Sequence, residues 1–225
     1  MKIKLSLAIL LFVFIAKAQT YHFDYYISYD FETSEDGEVS KTTYNKFINS
    51  KIEDYQMRVI NGTKTKLGVS MTDFSNLITH YFDLKNSDFP IKNEDFVYLY
   101  SVNHRKFGTH SVENKRNYVT KLVQKDNDVF LYNIVELKSK VLEAKFGEVT
   151  AKFQQFDANL GAVGLEVLFD DSLIRKKVQF NENLILTSAQ RVEKDKTLKM
   201  NFAAVEDVNI ELNIPPDQIK YLKNH

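Results

Sequence analysis

Cysteine and tryptophan are absent from this 225-residue chain, and glycine and proline are scarce at seven and three copies. Without a thiol there is no disulfide, no cysteine-ligated zinc, no thiol nucleophile, no covalently attached haem and no N-terminal lipid on cysteine. Few glycines leave little material for loops that cradle phosphates. No Gly-x-Gly-x-x-Gly, phosphate-loop, Gly-x-Ser-x-Gly or His-Glu-x-x-His pattern occurs. A charge excess of either sign is also missing, with 30 basic and 30 acidic side chains. That balance argues against a nucleic-acid partner, which calls for a basic surface.

What the chain has instead begins at its first residue. Lys2 and Lys4, an apolar run from Leu5 to Ile15, and Ala16-Lys17-Ala18 before Gln19 have the layout of a secretory signal peptide. The run is short of the ~20 apolar residues a membrane-spanning helix needs. The reading is therefore a cleaved signal over residues 1–18 and a single β-rich domain over residues 19–225, secreted or periplasmic, with no integral membrane segment after cleavage. Loss of Lys2, Lys4 and Lys17 leaves 27 basic against 30 acidic side chains. A chain of this size can be held by its apolar core without disulfides, and their absence suits a bacterial periplasm or cell surface. Asn61-Gly62-Thr63 matches a glycosylation acceptor, but Asn-Gly between two alternating runs is the signature of a hairpin turn.

Aromatic side chains are plentiful, with 17 Phe and 12 Tyr, and their spacing carries the fold. Tyr21, Phe23, Tyr25, Ile27, Tyr29 and Phe31 alternate with polar residues, Tyr26 alone breaking the pattern, as in a long half-buried strand. An Asp36-Gly37 turn leads to Val39–Ile48, in which Tyr44, Lys46 and Ile48 share one face and Asn45 and Phe47 the other. Tyr55 to Asn61 and Thr63 to Thr72 form the next hairpin. Phe74 to Leu84 fits either a helix stripe or a strand, and its neighbours favour the strand. Further strands are expected at Phe96–Asn103, Tyr118–Gln124, Val129–Glu136, Leu165–Phe169, Leu173–Phe180, Leu184–Val192 and Leu198–Ala204. A last one runs through Val208, Ile210, Leu212 and Ile214 to Pro215-Pro216. Leu142 to Phe156 is evenly poised: Leu142, Phe146, Val149, Phe153 and Phe156 have helical spacing, while Gly147 and the alternation Val149, Ala151, Phe153 favour a strand. The fold class is mainly β, a single antiparallel meander forming a curved sheet or half-barrel, with room for one or two short helices.

Chemical constellations are sparse. His104 and His110 with Arg105, Lys106, Lys115 and Arg116 could line a metal or anion loop, but the spacing suits a solvated connection better. His22 and His80 fall inside strands. Asp170-Asp171 and the pair Asp24 and Asp30 are ordinary for turns and strand faces. No metal site, cofactor or catalytic residue is assigned, and the chain reads as a non-enzyme. The aromatic face of the first strand is the functional hint. Tyr21, Phe23, Tyr25, Ile27, Tyr29 and Phe31 could line the concavity of a curved sheet and hold an acyl chain or other apolar ligand. They could equally fill an ordinary core.

The signal peptide, the aromatic segment Phe23-Asp24-Tyr25-Tyr26-Ile27-Ser28-Tyr29-Asp30-Phe31, the strand meander and the close at Ile214-Pro215-Pro216-Asp217 resemble the LolA-like periplasmic carriers of outer-membrane lipoproteins. They are similar also to exported β-rich proteins of Bacteroidetes, whose signals often end as Ala18-Gln19 does. For the carriers, the resemblance implies an open half-barrel with helices over its hollow and acyl chains between them. Leu142 to Phe156 is the one candidate for such a helix. It implies a binding module for an apolar ligand or an envelope protein. Two other classes stay open: a small outer-membrane β-barrel, against which stand Lys41, Lys64, Lys66, Lys121, Lys176 and Lys177 in or beside strands, and an envelope enzyme without a recognisable motif.

Overall fold

The computed structural model describes residues 19–60, 67–104, 116–137 and 145–215, together with Ile219. The signal segment, the Asn61-Gly62 turn and most of the basic loop around His110 lie outside the described residues. Eleven strands form one curved antiparallel sheet. They are β1 (Gln19–Glu35), β2 (Glu38–Ile48), β3 (Tyr55–Ile60), β4 (Leu67–Asp73), β5 (Ile78–Leu84), β6 (Phe96–Asn103), β7 (Asn117–Asp126), β8 (Val129–Leu137), β9 (Lys145–Gln155), β10 (Leu184–Val192) and β11 (Lys196–Ile214). Their order is β6-β5-β4-β3-β2-β1-β11-β10-β9-β8-β7, so the first and last strands meet at the centre. Among the described residues β6 and β7 end the sheet unpaired on their outer sides. A membrane barrel has no such ends.

Turn chemistry sets the early hairpins. Asp36 and Gly37 both hold positive φ, 50° and 85°, and join Glu35 to its partner Glu38 in a two-residue loop. That conformation matches the right-handed twist of the flanking strands. Asn127 at φ 50° begins the corresponding link between β7 and β8. The β4–β5 link takes residues 74–77, where Asp73 accepts hydrogen bonds from the Asn76 backbone and side chain and Leu77 sits at φ 54°. The strand reading of this region therefore holds from Ile78 onward.

Two expectations are corrected and one open reading is settled. Leu165–Phe169 is not a strand but a helix, α1 (Leu165–Phe169), and within 173–180 lies a second short helix, α2 (Ile174–Lys177). In α1, Leu165, Glu166, Leu168 and Phe169 are all buried, so a five-residue run shows neither a two-residue nor a 3.6-residue period. The poised segment resolves as strand from Lys145: Val149, Ala151 and Phe153 are buried, whereas Phe146, a member of the helix stripe, is 54% exposed. It is no helix over the hollow. The two tail strands are one continuous β11, whose pairing with β1 slips between Phe23 and Tyr25 and again between Ser28 and Tyr29. Such bulges increase local twist and help the sheet curl.

The sheet carries a core on each face. Adjacent residues of a strand point to opposite sides, and in β2 Ile48 belongs to one cluster while Phe47 belongs to the other. The larger core joins β1, β2 and β8–β11 to Leu160, Val163, Leu165, Leu168, Phe169, Ile174 and Val178 of the helical segment lying on that face. Gly164 lets the segment approach. A Cβ there would stand 2.6 Å from Leu186 Cδ2 and 2.7 Å from Met200 Sδ. The smaller core gathers Phe47, Tyr55, Met57, Val69, Met71, Phe82 and Leu84 beneath the start of β1 and the end of β11. The Tyr21 hydroxyl donates to Asp73 Oδ2 at 2.8 Å and lies 3.3 Å from His80 Nε2, while His80 Nδ1 lies 2.7 Å from Ser101 Oγ. These contacts fasten the β1 end across β4 and β5.

Two consequences can be measured. Gly164→Val forces a branched side chain against Leu186 and Met200 and should cost about 1–3 kcal/mol in urea unfolding. A variant as stable as wild type would show that the close approach does not matter. His80 is buried, and desolvation lowers its pKa to about 4 despite the Asp73 carboxylate. It is neutral in the fold and protonated in the unfolded chain below about pH 6.5, so acidification removes stability from pH 6.5 down toward 4. The loss should reach about 2 kcal/mol by pH 5 and should be absent in His80→Gln. Equal pH dependence in the two proteins would exclude this group as the cause.

Candidate functional site

Polar chemistry on the covered face concentrates around α1. On one side Lys46 of β2, 1% exposed, makes an ion pair with Glu166 of α1. Tyr44 donates to Glu166 Oε2 at 2.9 Å, and Lys46 also donates to Gln56 Oε1. Burial pulls the Lys46 pKa down to about 8, with the Glu166 carboxylate opposing the fall. Arg175 of α2 is buried as well and donates from Nη2 to the Asn49 carbonyl at 3.0 Å.

On the other side stands Glu136 of β8, fully buried. Arg116 Nε lies 3.1 Å from one of its oxygens and Arg191 Nη1 lies 3.6 Å from the other. Burial raises the Glu136 pKa, and both guanidiniums oppose that rise. The same arginines cap the helix. Arg191 Nη1 donates to the Leu168 carbonyl at 2.8 Å, and Arg116 Nη1 donates to the Phe169 carbonyl. Carbonyls at a helix C-terminus have no intrahelical partner and need such donors. Gly147 on β9 makes room, since a Cβ there would fall 2.7 Å from Arg191 Nη2. Asp171, just past α1, accepts from Tyr118, Lys177 and the Leu173 backbone. Burial alone would raise its pKa, but these donors outweigh it and hold the carboxyl below its ordinary value.

Two hollows flank α1, and Val167 and Asp170 line both. The first, about 390 Å³, is lined by Phe31, Phe146, Val167, Leu168, Phe169 and Leu198 and equally by Thr33, Arg116, Asp170, Arg191, Glu193 and Lys196. The second, about 310 Å³, is lined by Tyr44, Gln56, Arg58, Ser70, Thr72, Phe74, Glu166, Asp171 and Ser172 besides the shared pair, so both hollows mix polar and apolar side chains. Both volumes fall in the about 300–1,000 Å³ range of small-molecule sites.

The six first-strand residues do not act as one surface. Tyr21 and Phe23 are buried in the smaller core, and Ile27 and Tyr29 in the larger. Tyr25 and Phe31 pack at the margin of the larger core. Alternation changes sense between Phe23 and Tyr26, where the pairing with β11 slips, so the odd-numbered set is divided between two faces. Of the six, Phe31 alone lines a hollow described above. His22 is exposed beside Glu211, and His104 lies 2.8 Å from Thr79 Oγ1. Asp24 bonds to Ser50. No group of three or more metal-ligating side chains occurs among the described residues. Sequence reasoning passed over the buried charges Lys46, Glu136, Glu166, Arg175 and Arg191. A signal existed for Lys46, which alternates in register with Tyr44 and Ile48.

In class, the molecule is an open, curved antiparallel sheet with a short helical segment seated on one face. No family model matches the chain, and no curated protein matches it. Among solved structures it is similar to PNGF-II, with a TM-score of 0.33 and 10% identity over 82% of this chain, which spans only 28% of that protein's length. It is similar also to a DUF1329 family protein from Desulfovibrio piger, with a TM-score of 0.27 and 6% identity, covering 82% of this chain and 85% of that one. A LolA superfamily protein from Nitrosomonas europaea gives a TM-score of 0.27 and 6% identity, covering 86% and 87%.

The Lys46–Glu166 pair yields a direct test. Lys46→Met or Glu166→Gln alone leaves a buried charge uncompensated and should cost about 3–5 kcal/mol in chemical denaturation. Lys46→Met combined with Glu166→Leu should recover most of that loss. A double variant no better than the worse single one would show that the pair is not the source.

Proposed function

We propose that the protein is a secreted or periplasmic, non-catalytic binding module that takes an apolar, acyl-type ligand into the hollow bounded by β1, β11 and α1. One observation carries this reading: a space of about 390 Å³ whose lining sets Phe31, Val167, Leu168, Phe169 and Leu198 against Arg116, Asp170, Arg191, Glu193 and Lys196, beside a core already filled. The apolar share of that lining gains roughly 25 cal/mol for each Å² removed from water by a ligand. Phe31 is the contact residue proposed from the first-strand set. Ile27 and Tyr29 back the walls from within the larger core and Tyr25 packs at its margin, while Tyr21 and Phe23 anchor the same strand in the smaller core on the other face. The secretory reading of residues 1–18 puts the binding step outside the cytoplasm. An envelope protein as donor or recipient of the ligand is part of the proposal.

The test uses 11-(dansylamino)undecanoic acid, whose emission shifts to the blue when its chain leaves water. The protein should bind it, and Phe31→Asp, which sets a carboxylate in the wall, should weaken binding by tenfold or more, about 1.4 kcal/mol. A folded Phe31→Asp variant with unchanged affinity would remove this hollow from consideration, and no shift with wild type would count against an acyl ligand.

A further inference from the structure

Gln19 changes its chemistry if the signal segment is removed. In the full chain it is an ordinary strand residue, the first rung of the β1–β11 pair, opposite Ile214. A cut after Ala18, where Ala16-Lys17-Ala18 marks the cleavage site, makes it the N-terminal residue. A glutamine with a free α-amine carries nucleophile and electrophile in one residue. The amine nitrogen lies within reach of the side-chain Cδ through a five-membered ring, and such an intramolecular approach replaces a bimolecular encounter. An α-amine titrates only slightly above neutral pH, so part of it is unprotonated and nucleophilic under ordinary conditions.

We infer that Gln19 is a modification site: after signal removal its amine attacks Cδ, a C–N bond forms, the Cδ–Nε2 bond breaks, ammonia leaves, and the chain begins with pyroglutamate. The closure needs no oxidant, reductant or co-reactant. It rests on the secretory reading of residues 1–18. The fold adds two reasons. First, the side chain is weakly held: Gln19 Oε1 lies 3.2 Å from the Tyr21 hydroxyl, whose single proton goes to Asp73 Oδ2 at 2.8 Å. The amide is free to turn back toward its own amine. Second, the surroundings suit an uncharged end. Ile214 opposite and Tyr21 two residues on are each 3% exposed in the smaller core, and Gln19 itself is half-buried. A lactam keeps one N–H donor and carries no charge, whereas an ammonium must stay hydrated beside these apolar side chains. The ring seals the outer end of a central strand of the sheet and removes the free amine that aminopeptidases require.

Intact-mass spectrometry and N-terminal sequencing test this on the full chain expressed with its signal segment and recovered from its own host. The expected mass is that of residues 19–225 less one ammonia, with an end that resists stepwise Edman degradation. Tandem mass spectrometry of the N-terminal peptide should locate the loss at Gln19. Pyroglutamyl aminopeptidase, applied to the denatured chain, should release the block and expose Thr20 as the first readable residue. A chain that begins at Gln19 with its ammonia retained and its first residue readable overturns the inference and leaves the secretory reading standing. A chain that keeps Met1, or is cut elsewhere, overturns both. An ammonia loss located at any other residue overturns the inference as well.

Discussion

Charges buried on the covered face of the sheet hold α1 in place, and both hollows exist because it stands there. A five-residue helix has little stability of its own, since nucleation is costly and few backbone bonds repay it. Here Glu166 is pinned by Lys46 and Tyr44, and the terminal carbonyls of Leu168 and Phe169 are held by Arg191 and Arg116. Glu136 in turn positions those two arginines. Taking so many charges out of water costs several kcal/mol per ion before pairing. The arrangement therefore fixes one position of the helix more than it adds to stability. Around that post, apolar side chains fill the β8–β11 side, while Ser70, Gln56 and Arg58 leave the β3–β4 side polar.

The second constraint is the handover of β1 from one face to the other. Its first residues pair with β11 alone and fold over β3–β5, while residues from Tyr25 onward pair on both sides and turn Ile27 and Tyr29 toward the helical segment. One strand thereby contributes to two cores. This arrangement buries both faces of a single sheet without a second sheet, and it leaves β6 and β7 as unpaired ends among the described residues.

Much of this was legible in the chain. The aromatic alternation in Tyr21–Phe31, Asp36-Gly37, and the polar turn between β7 and β8 are local signals, and local signals survive folding. The Lys145–Gln155 strand was half legible, because Val149, Ala151 and Phe153 alternate even as Phe146 and Phe156 mimic a helix stripe. What failed was long-range or direction-blind. Pairing of β1 with β11 joins residues nearly two hundred positions apart and leaves no mark in either strand. The slip after Phe23 turns a uniform aromatic face into two half-faces, so the six-residue site was read as one surface. Leu165–Phe169 is buried at four of its five positions and carries no period. Glu136 and Arg191 look like wet-face charges until the helix that covers them is known.

The central claim is that the space beside Phe31 and Leu198 is a ligand site rather than a packing gap. Native mass spectrometry with lipid extraction, on protein purified from its own host, tests it most directly. The account predicts a stoichiometric acyl-bearing species that leaves with the denatured fraction. A protein recovered repeatedly as a clean, ligand-free chain would contradict it and make the hollow a feature of packing alone.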